Sequence, residues 1–197
     1  KDFLVKELHH RIKNNLTMIS SLLSLKNATL GNGSSLKDII QQIDTIRILY
    51  DKLNQSEEIG SIDVEEYCSE ILDAILSSCP QCEVDIEKEI EAIFVNSKNA
   101  VPLGLIVNEI ATNAVKHGFV GQMKGVFNIS FKEDKSENEY ILRLSNNGAP
   151  FPEHINLSNP DTLGLRLIVA LVEQLEGSIE LQREPHPLFI IRFSKER

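Results

Sequence analysis

The ten residues Asn108-Glu109-Ile110-Ala111-Thr112-Asn113-Ala114-Val115-Lys116-His117 lie within a longer stretch, Asn99 to His117, whose spacing predicts one helix. Leu103, Val107, Ile110 and Ala114 recur every three or four residues and make an apolar face suited to packing on a sheet. Glu109, Asn113 and Lys116 form a polar stripe on the other side, with Thr112 and His117 at its margins. Leu105 and Ile106 break the pattern. A stripe of this kind can be no more than the solvated side of a helix, and spacing leaves that open.

Outward from this helix, the pattern alternates between strand and helix. Glu83 to Lys88 and Ala92 to Val95 precede it as strands, and Val126 to Lys132 and Tyr140 to Ser145 follow it. Leu163 to Glu176 is predicted helical, then Ser178 to Gln182 and Phe189 to Phe193 form a last strand pair. Such an order predicts an α/β sandwich, a mixed sheet covered on one face by helices. One long irregular loop, Gly148 to Thr162, carries Pro150, Pro152 and Pro160, and loops of that length in compact domains are usually functional lids or disordered.

Further upstream, Val64, Tyr67, Ile71, Leu72 and Ile75 mark a helix running to Ser78, ahead of Pro80. Before it, Ile59-Gly60-Ser61 ends a different pattern. From Asp2 to about Lys26 there is no Gly or Pro, and Val5, Leu8, Ile12, Leu16, Ile19 and Leu23 line one helical face. Gly31-Asn32-Gly33-Ser34-Ser35 reverses the chain, and Leu36, Ile39, Ile43, Ile46, Tyr50 and Leu53 follow as a heptad seam. Two apolar stripes cannot both be hidden by one hairpin, whereas two hairpins close into a four-helix bundle. The expected architecture is therefore α+β. Residues 1–58 form a helical hairpin that dimerises into a four-helix bundle, with a homodimer through residues 1–57, and residues 59–197 form the α/β sandwich.

Composition bounds the function. The 197 residues are 42% hydrophobic and 25% charged, which is ordinary for a folded globular chain. A net charge of -9 with scattered Lys and Arg argues against nucleic acid as a partner. No apolar run reaches the ~18 residues that cross a bilayer, and no signal-peptide layout opens the chain, so this fragment is expected to make no membrane contact and to be cytoplasmic. Cys68, Cys79 and Cys82 fit a reducing compartment. Cys79-Pro80-Gln81-Cys82 is a C-x-x-C without the further ligands a zinc site needs.

Two adjacent histidines on the first helix point about 100° apart. His9 shares the apolar face of Val5, Ile12 and Leu16, as a core histidine would. His10 shares a polar face with Lys13, Asn14, Thr17 and Ser21. An unperturbed imidazole pKa of about 6.5 leaves such a ring largely neutral and nucleophilic at cellular pH. Glu7, one turn earlier, is placed to hold or deprotonate it. Whether His10 is a nucleophile or an ordinary surface histidine is beyond what periodicity decides.

Glu7-Leu8-His9-His10-Arg11-Ile12-Lys13-Asn14-Asn15-Leu16 resembles the phosphoacceptor box of the histidine kinases whose boxes read H-R-x-K-N, the HisKA_2 or HWE-like type. The resemblance implies that His10, the histidine followed by Arg, is phosphorylated. Asn108 to His117 resembles the N-box of the GHKL ATPase superfamily, which includes histidine kinases, gyrase and mismatch-repair proteins. That implies ATP and Mg²⁺ as cofactors, Asn113 as the metal ligand through its amide oxygen, Lys116 and His117 near the phosphates, and Glu109 as a base or a partner of the metal. Ser145-Asn146-Asn147-Gly148 stands where that superfamily carries its Asp-x-Gly box. Thr162-Leu163-Gly164-Leu165 resembles its later glycine box, and the loop between corresponds to the ATP lid. Leu175-Glu176-Gly177-Ser178-Ile179-Glu180 resembles its helix-to-strand exit. The implied nucleotide-binding set is Asn113, Lys116, His117, Asn146, Gly148, Thr162, Leu163 and Gly164, with His10, Glu7 and Glu109 catalytic. The implied partners are a response-regulator receiver domain and an upstream sensor domain.

The adenine-reading Asp of the family falls on Asn146, and a further glycine falls on Pro150. Asn keeps a carbonyl oxygen able to accept from the adenine amino group but loses the charge, an expected loss of about tenfold in affinity if nothing compensates. These departures keep two alternatives in view. One is a histidine phosphotransferase with a degenerate nucleotide domain, and the other is a non-catalytic binding module.

Overall fold

The computed structural model describes residues 47–48, 61–76, 83–121, 124–160 and 162–195, except for the Leu163 side chain. The helical hairpin with Glu7, His9, His10 and its dimer seam lies outside the described residues apart from Arg47 and Ile48, which are helical; Cys79 and Cys82 also lie outside them.

A short strand β1 (Ser61–Asp63) pairs antiparallel with β3 (Phe94–Asn96), placing Ile62 opposite Val95. Asp63 then caps helix α1 (Val64–Leu76). Its Oδ1 accepts from the Glu66 amide at 3.1 Å, and Glu65 and Glu66 in the first turn complement the positive end of the helix. Helix α2 (Ser97–Asn113) follows β3 directly, capped by Asn96, whose Oδ1 accepts from the Asn99 amide at 2.9 Å.

The main sheet has the order β2-β4-β5-β7-β6, from β2 (Glu83–Ile90), β4 (Lys124–Asp134), β5 (Glu139–Asn146), β6 (Ser178–Gln182) and β7 (Leu188–Ser194). Only β2–β4 is parallel; the other pairs are antiparallel. Register aligns Phe131, Leu142 and Ile191, then Ile129, Leu144 and Phe189, as rows of buried side chains on one face. Phe131, Tyr140 and Phe193 add an aromatic cluster with centroids 5.4 to 6.1 Å apart. The opposite face carries ion pairs such as Arg192–Glu180 at 2.6 Å.

Helix α2 packs against both α1 and α3 (Leu163–Gln174), and every residue from Asn99 to Thr112 is buried. This is why Leu105 and Ile106 interrupt its amphipathic pattern: the helix has no solvated side along most of its length. Among the described residues, the strands and helices predicted from Val64 onward are present, with ends shifted by a few residues. The three-residue β1 is additional. Closeness of α1 and α2 depends on Gly104, where a Cβ would overlap the Tyr67 ring and hydroxyl. Helix α3 ends with Glu176 in the left-handed region (φ 54), while the Gly177 amide donates to the Val172 carbonyl at 3.0 Å. Glycine is required one place later because a Cβ on Gly177 would overlap the Arg192 carbonyl.

Two predictions follow from this packing. The Tyr67 hydroxyl is buried without a partner, so Tyr67→Phe should stabilise the fold by roughly 1 kcal/mol in urea unfolding, whereas Gly104→Ala should destabilise it by about 1–3 kcal/mol. Burial also pushes the Cys68 thiol up to about 12 and the Tyr67 phenol well above its ordinary value. Both groups hold their protons more tightly when folded, so this stability is complete below about pH 9 and is lost as pH rises toward 12. Unfolding at pH 8 and 10.5 should differ by on the order of 2 kcal/mol through Cys68, and mass spectrometry should find that thiol unalkylated at pH 8.

Candidate nucleotide site

The polar stripe of α2 is not a solvated face. Asn108, Glu109 and Thr112 are buried, Glu109 at 9% exposure, and Asn113 is half-buried. Burying a carboxylate is costly unless a partner compensates, and Glu109 is engaged in this packing rather than left free. Directly beyond Asn113 the helix widens into a π turn, Ala114–Gly118, closed by the Phe119 amide donating to the Ala114 carbonyl at 2.9 Å. Simple periodicity predicts an ordinary helix as far as His117. The wider turn instead keeps Ala114 and Gly118 buried and leaves Lys116 and His117 exposed at the rim.

Gly164, in the first turn of α3, approaches this stripe closely. A Cβ there would stand 2.8 Å from Glu109 Oε2 and 4.0 Å from Asn113 Nδ2. Gly164, more than fifty residues from Glu109 and Asn113 in sequence, thus shares one small volume with them. Thr162 precedes α3 in extended conformation (φ −96, ψ 147), and its side chain makes no cap, so the first amides of the helix receive none from it. Its carbonyl accepts from the Arg166 amide at 3.1 Å. Leu163 opens the helix by its backbone.

The other end of the long loop is fastened to the π turn. Asn146 ends β5 at 6% exposure, and its Oδ1 accepts from the Gly148 amide at 2.9 Å. The Ala149 amide donates to the Gly118 carbonyl at 3.0 Å, and a Cβ on Gly148 would overlap that same carbonyl. Asn147 ties the loop to β4, its Oδ1 accepting from the Val126 amide at 2.8 Å. The predicted residues Asn146 and Gly148 therefore meet the turn that carries Lys116 and His117, while Gly164 meets Glu109 and Asn113. All lie around the C-terminal end of one helix.

Several participants carry no motif signal. Gly118 is one. The β6–β7 loop supplies others: His186 Nδ1 lies 2.8 Å from the Gly148 carbonyl, the Phe151 amide donates to the Arg183 carbonyl at 3.2 Å, and Arg183 Nη1 donates to the Pro152 carbonyl at 3.2 Å. Phe151 also packs edge-on to Phe189, with centroids 5.6 Å apart. At the far end of the loop, Arg166 Nε donates to the Pro160 carbonyl at 2.8 Å.

Among the described residues, no group of three or more His, Cys, Asp or Glu side chains could hold a metal by itself. The Asn113 amide oxygen and the Glu109 carboxylate, both close to Gly164, are nevertheless hard oxygen donors. That set suits Mg²⁺, which takes few protein ligands and completes its shell with water and phosphate oxygens. No helix of the described residues is long and apolar enough to cross a membrane.

Residues 7–79 match the HisKA_2 family model, described as histidine kinase. The chain is 25% identical over 191 residues to the sensor histidine kinase PdtaS of Mycobacterium tuberculosis, an alignment covering 92% of this chain and 37% of that protein. It is 24% identical over 187 residues to the blue-light-activated histidine kinase 2 of Erythrobacter litoralis, covering 92% of this chain and 54% of that one. The chain thus spans about a third to a half of these relatives. Among solved structures, the histidine kinase domain of the Erythrobacter litoralis EL346 protein superposes with a TM-score of 0.77 at 23% identity, covering 95% of this chain and 89% of that domain, a likeness of fold. Residues 7–79 thus match the histidine kinase family HisKA_2, and the described sandwich, whose glycines close on Glu109, Asn113 and Asn146, shares the fold of a histidine kinase domain.

Proposed function

We propose that this chain is the transmitter core of a sensor histidine kinase, in which His10 takes the γ-phosphoryl group of ATP and passes it to an Asp of a response-regulator receiver domain. The observation that supports it most is the convergence of Glu109, Asn113 and Gly164 with the Asn146–Gly148–Gly118 contact around the end of α2. Phosphoryl transfer asks a protein mainly for positioning and charge stabilisation. Gly164 lets the backbone at the start of α3 approach phosphate oxygens, with the positive end of the helix behind it. Lys116, exposed on the π turn, adds a cation at the rim. Asn113 and Glu109 would hold Mg²⁺, which neutralises phosphate charge when bound. Asn146 and Gly148 would line the base end, and Thr162 and Leu163 the lid side of the phosphates.

In the reaction, a neutral His10 nitrogen forms a bond to the γ-phosphorus as the bond to the β-phosphate oxygen breaks. ADP leaves, and Glu7 takes the ring proton. The helical segment would dimerise through residues 1–57, an upstream sensor domain would set the activity, and the fragment would work in the cytoplasm. A second reading, a phosphotransferase that shuttles phosphate between receivers, is favoured by Asn146 and Pro150 alone.

Three outcomes test the proposal. His10→Gln should abolish labelling from γ-labelled ATP, while His9→Gln should chiefly lower stability; label persisting in the His10 variant refutes the assignment. Asn113→Ala should reduce autophosphorylation by at least a hundredfold without a matching fall in melting temperature. Gly164→Ala must displace Glu109 Oε2, so nucleotide affinity measured by calorimetry should drop about tenfold.

A further inference from the structure

The loop from Gly148 to Thr162 is held at its start by a segment that carries no motif of its own, the connection between β6 and β7. Arg183 in that connection engages the loop in three ways. Its carbonyl accepts from the Phe151 amide at 3.2 Å, its Nη1 donates to the Pro152 carbonyl at 3.2 Å, and its guanidinium carbon lies 5.9 Å from the centre of the Phe151 ring. The same ring packs edge-on against Phe189, a buried residue of the sheet, with centroids 5.6 Å apart. Phe151 is thus pinned between the core and a cation. In the same connection, His186 Nδ1 lies 2.8 Å from the Gly148 carbonyl. The N–H of that peptide unit, on Ala149, points the opposite way and donates to the Gly118 carbonyl at 3.0 Å. One peptide plane therefore joins the β6–β7 connection to the π turn that carries Lys116 and His117.

We propose that Arg183 is a positioning residue for the nucleotide, fastening Phe151 and Pro152 so that the start of the loop is already in the arrangement a bound triphosphate needs. That role rests on the nucleotide reading of the site and adds to it a residue that acts through the loop. The Pro152 carbonyl also accepts from the Ile155 amide at 3.3 Å, so one oxygen ties Arg183 to the turn that opens the span toward Pro160. The far end has its own anchor, Arg166 Nε on the Pro160 carbonyl at 2.8 Å. A loop ordered in advance spares the ligand the entropy of ordering it. When the competent arrangement is only part of the population, apparent affinity falls by that fraction, and saturating ligand restores it. Loss of Arg183 therefore lowers affinity and leaves the rate at saturation unchanged. A group that touches the phosphates would lose both, and one that only supports the fold would lose neither.

The test compares autophosphorylation of the full chain with that of Arg183→Ala over a range of Mg²⁺–ATP concentrations, with melting temperatures alongside. KM for ATP should rise about fivefold while the rate at saturation stays within about twofold, and Arg183→Lys, which keeps a donor and a cation, should recover most of the loss. A KM unchanged whatever the melting temperature does, a fall at saturation as large as the rise in KM, or no recovery with Lys overturns the proposal and leaves the nucleotide reading standing. If the unmodified chain neither binds ATP nor is labelled by it, the nucleotide reading fails and this role with it. Should Arg183→Ala not fold, Arg183→Met, which keeps the apolar stem and lacks the donor, is measured in its place against the same outcomes.

Discussion

Enclosure of α2 by two helices and a sheet is the constraint on which the rest of the molecule depends. A helix with no solvated side along fourteen residues must meet neighbours at every angle, and it does so with small or apolar groups nearly throughout. Gly104 admits Tyr67, and Ala100, Ala111 and Ala114 are buried alongside it. Polar side chains on such a helix survive only where a neighbour compensates them or where the enclosure opens. It opens at Asn113, where the helical geometry also widens. Chemistry is therefore confined to one end of an otherwise apolar rod.

The same crowding explains the glycines. Gly118, Gly148 and Gly164 come from three separate segments, yet each stands where a methyl group would meet Asn146, the Gly118 carbonyl or Glu109. Their role is proximity rather than freedom of the backbone, since none has a positive φ. Both ends of the intervening loop are thereby held close to the end of α2, and the β6–β7 loop binds its first residues through His186 and Arg183. The span between Pro152 and Pro160 lies between these two sets of bonds.

Much of the sandwich was legible because period-two and period-3.6 patterns reflect one-sided burial, and most elements here are buried on one side. The central helix was the exception. Leu105 and Ile106 signalled burial all round, but a polar stripe on the same helix points the other way, and only the positions of α1 and α3 resolve the conflict. β1 was illegible because three residues carry no period. The candidate site was legible where residue type follows from chemistry, as at Asn113 and Gly164. Gly118 acts through its backbone carbonyl, and Arg183 and His186 reach loop carbonyls from a distant strand connection, so no local pattern marks them. Nor could residue identity reveal that the Asn146 oxygen accepts from the Gly148 amide.

β1 and β3 give the small two-stranded ribbon a mechanical meaning. The chain arriving at Ser61 is bonded across to Asn96, and Asn96 is itself the cap of α2, with no loop between ribbon and helix. Paired backbone therefore joins Ser61 to the root of the central rod, which runs on for some 25 Å, at about 1.5 Å of rise per residue, to the tip that carries Asn113.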